Sequence, residues 1–249
     1  MEHRDRVDAV AREAGALAAA VEAGDPAAIV PTCPDYTLDD LAVHVGDFCA
    51  FYAGRLCEGA GRPARAFDPD AGRAGRAAWL AGWTGHLVAE LRASPPDLEV
   101  RTWHPTDRSA GFVARRACHE LAVHRVDAQL AAGTAPDPVA PAVAADGIEE
   151  VFVLIAHGGA RTADRRREGD RTGQTLHLHG TDHRPAEWLI TFAPEGVVVE
   201  RAHARGDLAL RGAVGDLEML LYQRPTVGEV QRFGDDAVLD VFHRQFTFV

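Results

Sequence analysis

Lysine is absent from this 249-residue chain: all 26 basic side chains are arginine, beside very heavy alanine use, a pattern of GC-rich coding more than of mechanism. The arginines do not gather into a basic surface. Their densest spots are Arg115-Arg116 and Arg165-Arg166-Arg167, and the second is flanked by Asp164, Glu168 and Asp170. With 37 acidic residues and a formal net charge of −11, this excludes a protein that grips a phosphate backbone. Long apolar runs are missing too. Val151-Phe152-Val153-Leu154-Ile155-Ala156 is the longest and is far too short to span a bilayer. No apolar segment follows Met1-Glu2-His3-Arg4-Asp5, so no secretory leader is expected. The four cysteines, Cys33, Cys49, Cys57 and Cys118, include no Cys-x-x-Cys pair, and together these absences predict a reduced cytoplasmic protein. There is no internal repeat, no phosphate loop around Gly212-x-x-Gly215, and no Ser-His-Asp set that can be assembled without arbitrary choice.

What the chain does have is a 47% hydrophobic content, enough for a real core in one large domain or two ordinary ones. Apolar periodicity predicts helices over about 3–24, 38–56, 74–93, 108–132 and 139–156, a bundle with an accessory helix. Thr37 followed by Asp40 reads as a capping box opening the second helix, Pro95-Pro96 stops the third, and Gly158-Gly159 ends the fifth. Residues 59–76, rich in glycine, proline and arginine, read as a solvent-facing connection, and 98–103 alternates weakly as an extended piece. After the charged stretch 161–172 the period falls to two, with strands expected near 175–179, 186–192, 197–202 and 207–211 and helices near 214–222 and 238–242. The expectation is a two-domain α+β protein: a helix bundle at 1–160 and a small α+β domain at 170–249.

The chemistry centres on His119-Glu120-Leu121-Ala122-Val123-His124. Glu120 and His124 are four apart, so a helix stacks them on one face, whereas His119 and His124 are five apart and sit roughly 140° around it. That spacing excludes the zinc-protease helix motif, which needs its two histidines four apart. A site with an exchangeable position usually takes three protein ligands, and His44, beside the apolar side of the second helix, is the best third. An ordinary intrahelical ion pair would use the same Glu120–His124 spacing, and His44 would serve equally as a core or surface histidine. Asp40 and Asp127, each about one turn from a histidine, could orient an imidazole; Asp40 could instead cap its helix. His177, His179 and His183 form a second histidine-rich group, but no acidic residue stands at metal-like spacing to them, and they read as sheet-surface residues.

Longer segments carry a resemblance. Val30-Pro31-Thr32-Cys33-Pro34-Asp35-Tyr36-Thr37-Leu38-Asp39-Asp40-Leu41-Ala42-Val43-His44-Val45-Gly46 resembles the first signature of the mycothiol-dependent maleylpyruvate isomerase family. The stretch from Arg115 to Ala128, which contains His119-Glu120-Leu121-Ala122-Val123-His124, resembles its second. Leu176 to Asp182, Ala186 to Ile190 and Gly212 to Arg224 are similar to its second domain. Asp35-Tyr36 stands where the family usually has glycine and tryptophan, and Gln223 replaces the common glycine before Arg224.

The resemblance implies a DinB-like up-down bundle carrying a divalent metal, usually zinc, followed by a small α+β domain. It assigns His44, Glu120 and His124 as metal ligands, mycothiol as thiol cosubstrate, and Arg224 as an arginine that orients an anionic substrate. The expected function is a zinc- and mycothiol-dependent isomerase or S-transferase in which a metal-held thiolate attacks a small electrophile, with no nucleic-acid or membrane partner. A metal-bound-water hydrolase and a non-catalytic metal- or thiol-binding module are the alternatives.

Overall fold

The computed structural model describes residues 1–58, 72–157, 161–162, 172–194 and 196–247. The connection expected at 59–76 lies outside them as far as residue 71, as do Gly158, Gly159 and most of the charged stretch 161–172. In chain order the elements are α1 (His3–Ala23), β1 (Ile29–Val30), β2 (Cys33–Thr37), α2 (Leu38–Glu58), α3 (Gly72–Ala93), α4 (Ala110–Ala131), α5 (Pro141–His157) and β3 (Arg161–Thr162). There follow β4 (Thr175–Gly180), β5 (Glu187–Ala193), β6 (Gly196–Glu200), β7 (Leu208–Gly212), α6 (Val214–Leu221), β8 (Gln231–Gly234), α7 (Ala237–Gln245) and β9 (Phe246–Thr247). Contacts divide the chain into two compact units, Met1–Asp137 and Pro138–Val249.

In the first unit α1 packs on α3 and α4, and α2 on α3 and α4, a four-helix bundle with a β1–β2 hairpin between α1 and α2. Local chemistry sets the helix ends. Asp40 N–H donates to Thr37 Oγ1 at 3.1 Å while Thr37 N–H donates to Asp40 Oδ2 at 2.9 Å, the reciprocal bonds of a capping box at the start of α2. Ser109 Oγ accepts from Phe112 N–H at 3.0 Å to open α4, and Gly133, at φ +74°, ends it in the left-handed conformation that glycine adopts without a side-chain clash. Val7, Val10, Ala14, Leu17 and Val21 bury one stripe of α1 at helical spacing. Leu41, Val45, Leu80, Leu87, Leu91 and Leu121 complete the core from the other helices. Each such leucine contributes about 1.5–3 kcal/mol by leaving water.

The second unit is built on a five-stranded sheet in the order β6-β5-β4-β7-β8, with β4 and β7 parallel and the other pairs antiparallel. Register places Leu176 opposite Ile190 and Leu208, and Leu178 opposite Trp188 and Leu210, so one face is continuous and apolar. α6 packs against β4 and β7, and α5 against α6 and β6. The opposite face carries His177, His179, Glu187 and Arg211.

α5 therefore belongs with the sheet, and the division falls at 137/138, earlier than the 160–170 expected from the sequence. Its apolar period fixes which side is buried, and both a bundle and a helix layer over a sheet accept such a side. The extended piece expected at 98–103 reduces to a single bridge between Glu99 and Ser109. Among the described residues, no helix is long and apolar enough to cross a membrane.

Candidate metal centre

α2 and α4 bring His44, Glu120 and His124 together: one nitrogen or oxygen from each lies within 4.8 Å of the others. His44 Nε2 is 3.0 Å from Glu120 Oε1, across 76 residues of chain, and His124 Nε2 is 3.5 Å from that same oxygen. The two imidazole rings meet edge to face with centroids 5.1 Å apart. Exposure grades across the group, from 35% for the His44 side chain through 14% for Glu120 to 7% for His124, so the site meets solvent on the His44 side. Zinc takes histidine nitrogen and carboxylate oxygen, and its catalytic sites hold three protein ligands, a requirement that two imidazoles and one carboxylate satisfy.

A surrounding shell fixes each donor. Arg116, one turn before Glu120 on α4, donates to Glu120 Oε2 at 2.5 Å and leaves Oε1 to the histidines. Burial works against ionisation of Glu120, but the Arg116 guanidinium and the hydrogen bonds of His124 and His44 outweigh it and hold the carboxyl well below the usual range. His124 Nδ1 lies 2.9 Å from Asp127 Oδ2, and Asp127 also accepts from Thr32 Oγ1 at 2.5 Å and, at 4.0 Å, from Cys33 Sγ. Burial alone would lower the His124 pKa; hydrogen bonds to Asp127 and Glu120 reverse this and push it up to about 9. The hairpin strand β2 thus reaches the site through Thr32 beside it and Cys33 within it.

The two aspartates weighed as imidazole partners separate cleanly. Asp127 orients His124, whereas Asp40 is occupied as the cap of α2, where its hydrogen bonds from Thr37 lower its pKa. Tyr36, one of the two residues that depart from the family pattern, stands edge-on to His44 with ring centroids 5.9 Å apart. Arg116 escaped the sequence reading as a site residue, although its i,i+4 spacing to Glu120 was a usable signal. His119 is fully buried and is not part of the group. Cys49 is also buried, and desolvation, with the nearby Glu120 charge, pushes its thiol pKa up. The chain's own cysteine beside Glu120 is therefore held as an inert thiol.

In the second unit Arg224 is buried, at 5% exposure, and donates from Nη1 to the Tyr222 carbonyl at 2.6 Å. Gln223, immediately before it, adopts φ +59°, a conformation glycine takes more easily. Of the second histidine-rich group, His177 and His179 come together, His183 does not join them, and Glu187 and His203 do. A third group, Cys57, His86 and Glu90, lies between α2 and α3 and is largely exposed.

An up-down bundle with three convergent donors, followed by a small α+β unit, defines the DinB-like two-domain class. Residues 7–129 match the family model described as the mycothiol maleylpyruvate isomerase N-terminal domain, a span that includes His44, Glu120 and His124. The chain thus carries a domain of the mycothiol maleylpyruvate isomerase N-terminal type over residues 7–129. Two solved structures, of the mycothiol-dependent maleylpyruvate isomerase and of a histidine-to-alanine mutant of it, are similar over 93% of this chain and 93% of theirs. Their TM-scores are 0.57 and 0.55 at 16% identity, a likeness of fold. No curated protein matches the sequence.

Proposed function

We propose that the chain is a metal- and thiol-dependent isomerase or S-transferase acting on a small electrophile, with mycothiol as the thiol. The observation that carries this reading is the convergence of His44 Nε2, Glu120 Oε1 and His124 Nε2 within one family's N-terminal domain. These three residues would hold a divalent ion, zinc by donor type, whose positive charge keeps a bound low-molecular-weight thiol as the thiolate nucleophile at neutral pH. Arg116 keeps Glu120 ionised and fixes which of its oxygens faces the histidines. Asp127 holds the His124 ring in the orientation that presents Nε2 to the site, and Thr32 holds Asp127. Tyr36 forms an aromatic wall beside His44, at the solvent side where a thiol and an electrophile would enter. Arg224, with a planar fork suited to carboxylates, would orient an anionic substrate.

One feature weighs against hydrolysis by metal-bound water. Attack by metal-bound water is commonly assisted by a separate general base. Its two aspartate candidates are committed elsewhere, Asp40 to the α2 cap and Asp127 to His124 and Thr32. Cys49, beside Glu120, is buried with its thiol pKa pushed up, so it does not compete as a thiolate nucleophile.

The test is elemental analysis of purified protein, then titration with mycothiol and product analysis with and without it, comparing wild type with His124→Ala. Loss of one equivalent of bound metal together with thiol affinity is expected in the variant. Unchanged metal stoichiometry would remove His124 from the site, and turnover without thiol would favour hydrolysis.

A further inference from the structure

We propose that His177, His179, Glu187 and His203 form a second metal site, which takes a divalent transition ion of the zinc type through three imidazoles and one carboxylate. One ligand atom from each of the four lies within 4.8 Å of the others. His177 Nε2 and His179 Nδ1 stand 3.4 Å and 3.3 Å from the two Glu187 oxygens. Donors sharing a tetrahedral ion at about 2.1 Å lie about 3.4 Å apart, so the contacts of His177 and His179 to Glu187 are already at coordination spacing.

The sheet builds this arrangement. His177 and His179 are two apart on β4 and share a face, and the antiparallel register sets Glu187 of β5 directly opposite His179. His203 comes from the 201–207 loop, which is fastened down at its far end. Thr175 N–H and Oγ1 donate to Asp207 Oδ2 at 2.8 Å and 2.9 Å, and Asp207 N–H returns a bond to Thr175 Oγ1 at 2.9 Å. The loop passes so close over β4 that a Cβ at Gly206 would lie 2.9 Å from the His177 backbone nitrogen. His203 is thereby held with Nδ1 2.5 Å from Glu187 Oε2.

A second observation points to a ligand. His177 is 5% exposed, and its Nε2, aimed at the Glu187 carboxylate, is buried without a hydrogen bond. Buried imidazole nitrogens are normally satisfied. An ion shared with Glu187, His179 and His203 would satisfy this one. The nearby arginines do not oppose it: Arg201 is paired with Glu149 and the Pro185 carbonyl, and Arg211 donates to Gln231.

The donor set sorts the ions. Imidazole-rich sites favour zinc, cobalt, nickel and copper over magnesium and calcium. Four protein donors fill a tetrahedral sphere, the pattern of structural zinc, so the ion's role is to pin the 201–207 loop to the sheet. This site is in the second unit and shares no residue with the His44 group, so either can fail alone.

The test titrates chelator-treated full-length protein with Zn2+ and with Co2+, counting equivalents by calorimetry and following the visible Co2+ bands. His203→Ala and Glu187→Gln are compared with His124→Ala and wild type. His203 is 78% exposed at its side chain, so its replacement leaves folding intact, with circular dichroism as the check. The expected result is that His203→Ala and Glu187→Gln each lose one equivalent that His124→Ala retains. Zn2+ should also raise the melting temperature of His124→Ala but not of the His124→Ala/His203→Ala double variant. Equal stoichiometry in His203→Ala, Glu187→Gln and wild type would overturn the proposal.

Discussion

Asp127 has no exposed side-chain surface, and its Oδ2 lies 2.9 Å from His124 Nδ1. A carboxylate on the far nitrogen fixes the imidazole's tautomer and orientation and raises its basicity toward a metal on the near one. Asp127→Asn, nearly isosteric, is expected to weaken metal affinity by about 10–100-fold. Competition against a chromophoric chelator measures this, and an unchanged affinity would show that Asp127 is only a packing element.

Proton release should accompany metal uptake. The His124 pKa is about 9 in the folded chain against an ordinary 6.5, so at pH 7 its ring is protonated between Asp127 and Glu120. Because the folded value is raised, this protonation stabilises chelator-treated protein fully below about pH 6.5, and the contribution is lost as pH rises through about 9. A metal ligand must give up that proton. Calorimetry at pH 7 in two buffers of different ionisation enthalpy should therefore register proton release, with apparent metal affinity climbing between pH 6 and 8. Identical heats in the two buffers would contradict the assignment.

Gly46 marks a close approach of α2 to α3: a Cβ there would lie 2.2 Å from the Trp79 ring. Gly46→Ala is expected to destabilise by about 1–3 kcal/mol through overpacking, more than any gain in helix propensity returns. Since His44 is two residues away on the same helix, metal affinity should fall with it. Urea denaturation and metal titration of the one variant check both, and Gly46→Ala/Trp79→Leu should recover much of the loss.

A buried ion pair ties the bundle together. Arg125 donates from Nε to Glu13 Oε2 at 2.9 Å and from Nη1 to Gln129 Oε1 and the Asp137 carbonyl. Arg125→Ala should cost about 3–5 kcal/mol, because it strands Glu13 on the buried side of α1. A double replacement, Arg125→Met with Glu13→Leu, should cost far less, as read from urea midpoints of the chain.

Arg224→Ala discriminates substrate orientation from local support of the Tyr222 carbonyl. Under the proposed function its KM for an anionic electrophile rises at least about tenfold, the loss expected for a charge-assisted contact, while KM for a neutral one stays near wild type. Equal impairment toward both, with a lower melting temperature, would mark the arginine as structural.

Much of this was legible in the chain because helices report their own geometry. The four-residue spacing of Glu120 and His124 fixes a shared face, and the Thr37/Asp40 pair announces where α2 begins. His44 was reachable only by supposing that α2 and α4 are neighbours, which the bundle arrangement provides. Sheets conceal more. Glu187 has no informative spacing to His177 or His179, since strand register joins them, and His203 arrives on a loop whose path depends on Asp207 and Gly206. α5 shows a similar limit: its apolar side was evident, but not whether helices or a sheet would cover it.

His44 and Glu120 are 76 residues apart, yet 3.0 Å separates their reactive atoms. An unfolded chain keeps Glu120 and His124 close in sequence but has no means of holding His44 beside them. Any ion that fits all three thus prefers the folded bundle and raises its stability in proportion to the logarithm of free ion concentration. Supply of such an ion and lifetime of the protein would then be linked quantities, scarcity of the one shortening the other.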